Sequence, residues 1–103
     1  MTISEITRES LDVALLRKQP GHKYDHGHAL ILSGGPGQTG AARMAARAAL
    51  RVGAGAVTLG VPPAAQLETA MQVTAIMLQR VPDGAELSEA LKDSRINALC
   101  LGP

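Results

Sequence analysis

Residues able to do chemistry concentrate in two short stretches. The first is Gly34-Gly35-Pro36-Gly37-Gln38-Thr39-Gly40-Ala41, set between an apolar run and an alanine-rich one. Gly35, Gly37 and Gly40 match G-x-G-x-x-G, and Gly35 to Ala42 nearly match G-x-x-x-x-G-K-[ST]. A tight glycine turn running into a helix presents unpaired N–H groups and a positive dipole end to an anion. Small residues there also let a ligand lie directly against the main chain. The second stretch is His22-Lys23-Tyr24-Asp25-His26-Gly27-His28, whose H-x₃-H-x-H pattern has metal-ligand residue types. It lacks a fourth ligand and any known metal spacing, so it reads as a polar lead into a strand and no metal site is expected.

A dinucleotide loop needs an acid about 20 residues on, at the end of the second strand, to hold a ribose. That strand ends "LGVPP", and the first acid beyond the loop is Glu68. A phosphate loop of the lysine type needs the lysine and a hydroxyl where Ala41 and Ala42 stand. Two readings stay open: an anion-compatible backbone cradle, or a plain strand-to-helix turn. Arg43, Arg47 and Arg51 recur at i, i+4, i+8, which describes a solvated helix face. No Ser/His/Asp set and no paired carboxylates appear, so no catalytic residue is expected within this chain.

The elements that must position these residues follow from periodicity. Thr2-x-x-Glu5 has capping-box spacing ahead of "ISEITRESLDVALLRK", which predicts a helix ending before Pro20. "ALILS" and "AVTLGV" read as buried strands flanking a helix from Gly40 to Val52, closed by Gly53 and Gly55. In that helix Ala41, Met44, Ala45, Ala48 and Val52 share one face, taken as the buried one. Pro62-Pro63 opens a helix to about Met71, "TAIMLQRV" is a third strand, Asp83-Gly84 a turn, and "AELSEALKDS" a short helix. "INALCLGP" reads as a fourth buried strand, with Cys100 a buried thiol. Met44, Met71 and Met77 are expected in the core. Strand and helix alternate, so the fold class is α/β: three αβα layers around a mostly parallel sheet. That last strand runs straight into Gly102-Pro103, so the domain is expected to be truncated.

The bulk numbers agree. The chain has 103 residues, one domain's worth, with 46% hydrophobic residues, net charge +1 and Tyr24 as its lone aromatic. A near-neutral, aromatic-poor chain argues against nucleic-acid partners. One cysteine fits a reducing compartment, and no apolar stretch is long enough for a membrane span, so the expected location is the cytoplasm.

The stretch "GHKYDHGHALILSGGPGQTGAARMAARAALRVGAGAVTLGVP" resembles the opening of the ADP/ATP-dependent NAD(P)H-hydrate dehydratases, which are ribokinase-like. The resemblance is carried by His22-Lys23, Gly27, Ala29 to Ser33, Gly34-Gly35, Thr39-Gly40-Ala41, the helix to Val52, and Gly53-Ala54-Gly55. The terminal "ALCLGP" is similar to the start of the family's Gly-Pro-Gly-Leu-Gly segment. Tyr24 departs from the family, which has glycine after His-Lys. The resemblance implies that residues 1–103 are the N-terminal part of a ribokinase-like domain. It implies hydrated NADH or NADPH as substrate, with ADP or ATP and Mg²⁺ as cofactors of the complete enzyme. It assigns substrate contacts to Gly40, Ala41 and Gly102, with possible loop contacts at Gly35, Gly37 and Thr39. The family's Lys-Gly-x-x-Thr loop and Gly-Thr-Gly-Asp aspartate are not in this chain, which alone is expected to be inactive. Alternatives are a small-molecule kinase of the same superfamily or a non-catalytic nucleotide-binding fragment. An exposed sheet edge makes a homo-oligomer the expected state.

Overall fold

The apolar runs become four strands: β1 (His28–Leu32), β2 (Ala56–Val61), β3 (Met77–Arg80) and β4 (Ala98–Cys100). In the computed structural model, which describes residues 2–102, they form one all-parallel sheet in the order β3-β2-β1-β4. Parallel neighbours cannot be joined by hairpins, so each connection carries a helix. Helix α1 (Gly40–Val52) joins β1 to β2. A 3₁₀ turn at Pro63–Ala65 and α2 (Gln66–Ala70) join β2 to β3, and α3 (Gly84–Ala90) leads from β3 to β4. The α/β expectation holds, with every strand pair parallel. Among the described residues no helix is long and apolar enough to cross a membrane.

Register fixes which side chains share a face. Ala29 lies level with Val57 and Ala98, and Ile31 with Leu59 and Cys100. On that face Ile31, Val57, Leu59, Val61 and Ile76 form the core with Ala42 and Ala46 of α1. Leu30 and Leu32 point to the other face, where Leu32, Gly60, Val81 and Leu87 line a shallow pocket. Leu87 belongs to α3, so helices sit on both sides of the sheet.

Four sequence expectations fail, each for a physical reason. The helix expected before Pro20 is absent: residues 2–20 hold a turn at Thr7–Ser10 and a 3₁₀ turn at Val13–Leu16, capped by Asp12. All of them are exposed, including Ile3, Ile6 and Leu15. A short helix in water needs an apolar face to bury, and among the described residues these side chains find no surface to bury against. Helix α1 is turned from its expected face. Ala42, Ala45, Ala46, Ala49 and Leu50 pack on the core, while Met44 and Val52 are 69% and 56% exposed. Alanines let the helix sit close to the sheet, and that proximity excludes the larger side chains to the flank. Met71 and Met77 are likewise exposed, so none of the three methionines fills the core. Cys100 is exposed too, because β4 is an edge strand whose outer side nothing covers among the described residues.

The amino ends of the strands are locked by backbone contacts. Gly27 C=O accepts from both Gly55 N–H (3.0 Å) and Ala56 N–H (3.1 Å). Asn97 clamps β1 to the approach of β4: its N–H donates to His28 C=O and its Oδ1 accepts from His28 N–H, both at 3.0 Å. The expected histidine stretch lies here. His22 Nδ1 accepts from Tyr24 N–H, and His28 Nε2 sits 2.7 Å from Thr58 Oγ1. Tyr24 stacks between these rings, with Arg95 over its face at 4.5 Å. No three His, Cys, Asp or Glu side chains gather as a metal set among the described residues.

Two outcomes follow for stability. A Cβ on Gly55 would lie 1.4 Å from Lys23 C=O, a backbone atom that cannot step aside. Gly55→Ala is therefore expected to cost about 3 kcal/mol, read as a lower urea midpoint at unchanged slope. His28 is buried with Nδ1 unpartnered, and desolvation pushes its imidazole below the usual 6.5 despite Asp93 nearby. The unfolded chain then binds the proton first, so stability is complete above pH 6.5 and falls as pH drops below it. Asp93 stays out of that window, because Arg95 holds it near about 2. Urea melts from pH 7.5 to 5 should show the decline, and His28→Gln should flatten it.

Candidate functional site

Helix α1 and strand β1 place the glycine stretch at the carboxyl edge of the sheet. Ser33 N–H donates to Gly60 C=O at 2.9 Å, carrying the β1–β2 ladder one residue past the strand. The chain then turns. Gln38 N–H donates to Gly35 C=O at 2.9 Å, which folds the loop back over Gly34. A Cβ on Gly34 would lie 2.6 Å from Gln38 C=O, so only glycine fits beneath that carbonyl. Gly37 has φ +74°, and its N–H donates to Glu68 Oε1 of α2 at 2.8 Å.

The start of α1 carries no side-chain cap. Thr39 is the N-cap residue, yet it is buried and its Oγ1 accepts from Arg43 Nε at 3.2 Å. The first-turn N–H groups thus keep no side-chain partner, and they form the positive end of a 13-residue helix. Arg43 adds a formal charge beside them: its Nη2 is 3.9 Å from where a Cβ on Gly40 would stand. Gly35 and Gly37 have open space where their side chains would be.

The topology makes this edge a crevice. From β1 the chain moves to β2 and β3 on one side, then returns to place β4 on the other. Strand order therefore reverses between β1 and β4, and ligands of open parallel sheets bind outside the carboxyl ends at such a point. Gly102 lies two residues past Cys100, as Ser33 lies two past its partner Ile31. It is exposed, with φ +60° and open space at its Cβ position.

Of the residues singled out in the sequence, Gly35, Gly37, Thr39, Gly40 and Ala41 lie on one loop-and-helix junction, and Gly102 ends the neighbouring strand. Thr39 differs from the rest in turning its hydroxyl inward to Arg43. Two residues of this junction escape sequence reasoning. Arg43 reads as one of three solvated arginines but is half-buried and bonded; its i+4 spacing from Thr39 was the available signal. Glu68 reads only as an acid at the wrong distance for a ribose, although it is the lone acid between Ile31 and Arg80.

Chemically, the junction offers backbone N–H donors, a helix dipole and a guanidinium around a surface open enough for a ligand to meet the main chain. That combination suits an anionic group. Among the described residues no three His, Cys, Asp or Glu side chains gather there, and Glu68 is the carboxylate on the loop.

A family model described as NAD(P)H-hydrate dehydratase matches residues 29–103. The bifunctional NAD(P)H-hydrate repair enzyme Nnr of Moorella thermoacetica is 40% identical over 95 residues, covering 84% of this chain and 18% of the relative. The enzyme of the same name from Coxiella burnetii is 51% identical over 47 residues, covering 46% of this chain and 10% of the relative. The chain thus spans less than a fifth of the length of either relative. No solved structure matches it significantly. With the family model covering the sheet, the glycine loop and the end of β4, the chain belongs to the NAD(P)H-hydrate dehydratase family.

Proposed function

We propose that this chain supplies part of the substrate pocket of an ADP/ATP-dependent NAD(P)H-hydrate dehydratase, as the N-terminal part, residues 1–103, of a ribokinase-like domain. The observation that carries the reading is the uncapped start of α1 behind the glycine loop, at the point where strand order reverses. Hydrated NADH or NADPH brings a pyrophosphate, which matches donors of that kind. Gly40 and Ala41 let the hydrate lie against the helix start, and Gly102 borders it from β4.

The reaction this serves is a repair. Hydroxide leaves a carbon poorly, whereas phosphate leaves well. Transfer of a phosphoryl group from ADP or ATP to the added hydroxyl, then loss of phosphate with the neighbouring proton, restores the dihydronicotinamide. The family's nucleotide loop and catalytic aspartate are not among these 103 residues, so no step through ADP, ATP or Mg²⁺ is assigned to them, and no catalytic residue is placed in this chain. The same reading takes the protein to be cytoplasmic and homo-oligomeric.

Gly40 offers a clean test, because nothing but Arg43 Nη2 lies within 4 Å of its Cβ position. Gly40→Leu should leave the thermal midpoint within a few degrees of wild type while weakening binding of hydrated NADPH by about tenfold or more. Titration followed by fluorescence or calorimetry reads both proteins. Unchanged affinity would reduce the loop to a plain turn, and a stable phosphorylated product formed by the complete enzyme would point to a kinase instead.

A further inference from the structure

The glycine loop already holds an anion. Glu68 reaches from α2 across 31 residues of sequence to accept the Gly37 N–H at 2.8 Å, the contact a ligand oxygen would otherwise make. The loop is flanked by opposite charges: Arg43 beside Gly40 on the helix side, Glu68 at Gly37 on the other. Between Ile31 and Arg80 every other charged residue is an arginine, so the lone carboxylate of this region sits on the loop itself.

Two consequences are fixed by this placement. A carboxylate on Gly37 N–H ties to α2 a turn otherwise closed by its own Gln38 N–H to Gly35 C=O bond, and Gly35 and Gly37 have no neighbours at their Cβ positions to hold it by packing. A phosphate oxygen arriving at the same N–H would meet a like charge within about 5 Å, which opposes binding unless the carboxylate withdraws. Glu68 is partly exposed, and α2 is a short helix at the rim, so its side chain has solvent to withdraw into.

We infer that Glu68 is a resident anion of the loop: it positions Gly37 in the empty site and is displaced when an anionic group of the substrate arrives. Glu68 is thus a positioning residue that sets ligand affinity by competition. The inference rests on the substrate pocket proposed above.

The test uses Glu68→Gln and Glu68→Ala beside wild type. Glutamine keeps an acceptor at the same reach without the charge; alanine removes both. Hydrogen exchange of a peptide spanning Gly34 to Gln38, in the absence of ligand, should be alike in wild type and Glu68→Gln and clearly faster in Glu68→Ala. Hydrated NADPH should bind Glu68→Gln about fivefold tighter than wild type at low salt, and the advantage should shrink as salt screens the charge. Inorganic pyrophosphate, carrying the charge without the nicotinamide, should show the same ordering.

Equal exchange in all three proteins overturns the inference, because the bond then does not hold the loop. Equal or weaker binding of either probe by Glu68→Gln overturns it as well, since the carboxylate would then not compete with the ligand. If pyrophosphate gives the expected contrast and hydrated NADPH binds none of the proteins, the resident anion stands and the substrate reading falls. Failure of both probes to bind any of the three overturns both.

Discussion

The close approach of α1 to the sheet is the constraint on which the rest depends. Ala42 and Ala46 press against Ile31, Val57 and Leu59 with essentially no surface left exposed. With a single aromatic in the chain, no large ring can fill the space between layers, so the layers must come together instead. That proximity determines where the helix begins. Thr39 is drawn into the interior, its hydroxyl turns to Arg43, and the first-turn N–H groups are left without a side-chain cap. The open helix end is therefore a result of core packing as much as of the glycines before it.

The two ends of the sheet are built in opposite ways. At the amino ends, backbone meets backbone: Gly27 and Gly55, His28 and Asn97, with Lys23 C=O filling the space a side chain at Gly55 would need. Tyr24, His22 and Arg95 stack outside this seam. At the carboxyl ends few side chains cover the loop, and its order comes from the Gly35–Gln38 turn and the Glu68 contact. The base is thus tied by many backbone contacts and the rim by few, and few contacts go with local opening.

Much of this was legible in the sequence. "ALILS" and "AVTLGV" read as buried strands because parallel strands covered on both faces carry continuous apolar runs. The glycine spacing placed the loop correctly between strand and helix. What failed shares a cause. The helix before Pro20 was judged by a local capping signal, and the face of α1 and the burial of Met44, Met71, Met77 and Cys100 by hydrophobicity along the chain. Burial depends on what lies opposite. Ala46 is buried where Met44 is not because Ala46 lies on the side of α1 that meets the sheet, and Leu15 is exposed because its segment does not pack into the core among the described residues. Cys100 sits in as apolar a run as Leu30 does, but on an edge strand.

The loop's two charged neighbours were illegible for a different reason: their roles are relations between elements that sequence spacing does not encode. Arg43 belongs by periodicity to a ridge with Arg47 and Arg51, and only its contact with Thr39 sets it apart. Glu68 lies on a separate helix, and nothing in "QLETA" points toward a loop 31 residues earlier. What brings them together is the order β3-β2-β1-β4, which sets the carboxyl ends of β1 and β2 side by side. The loop after β1 and the turn and helix after β2 then share one rim, and a carboxylate on one can reach an N–H on the other. Any anion drawn to the helix start by its dipole and Arg43 must share that rim with Glu68, so the same topology that creates the site also supplies its competitor.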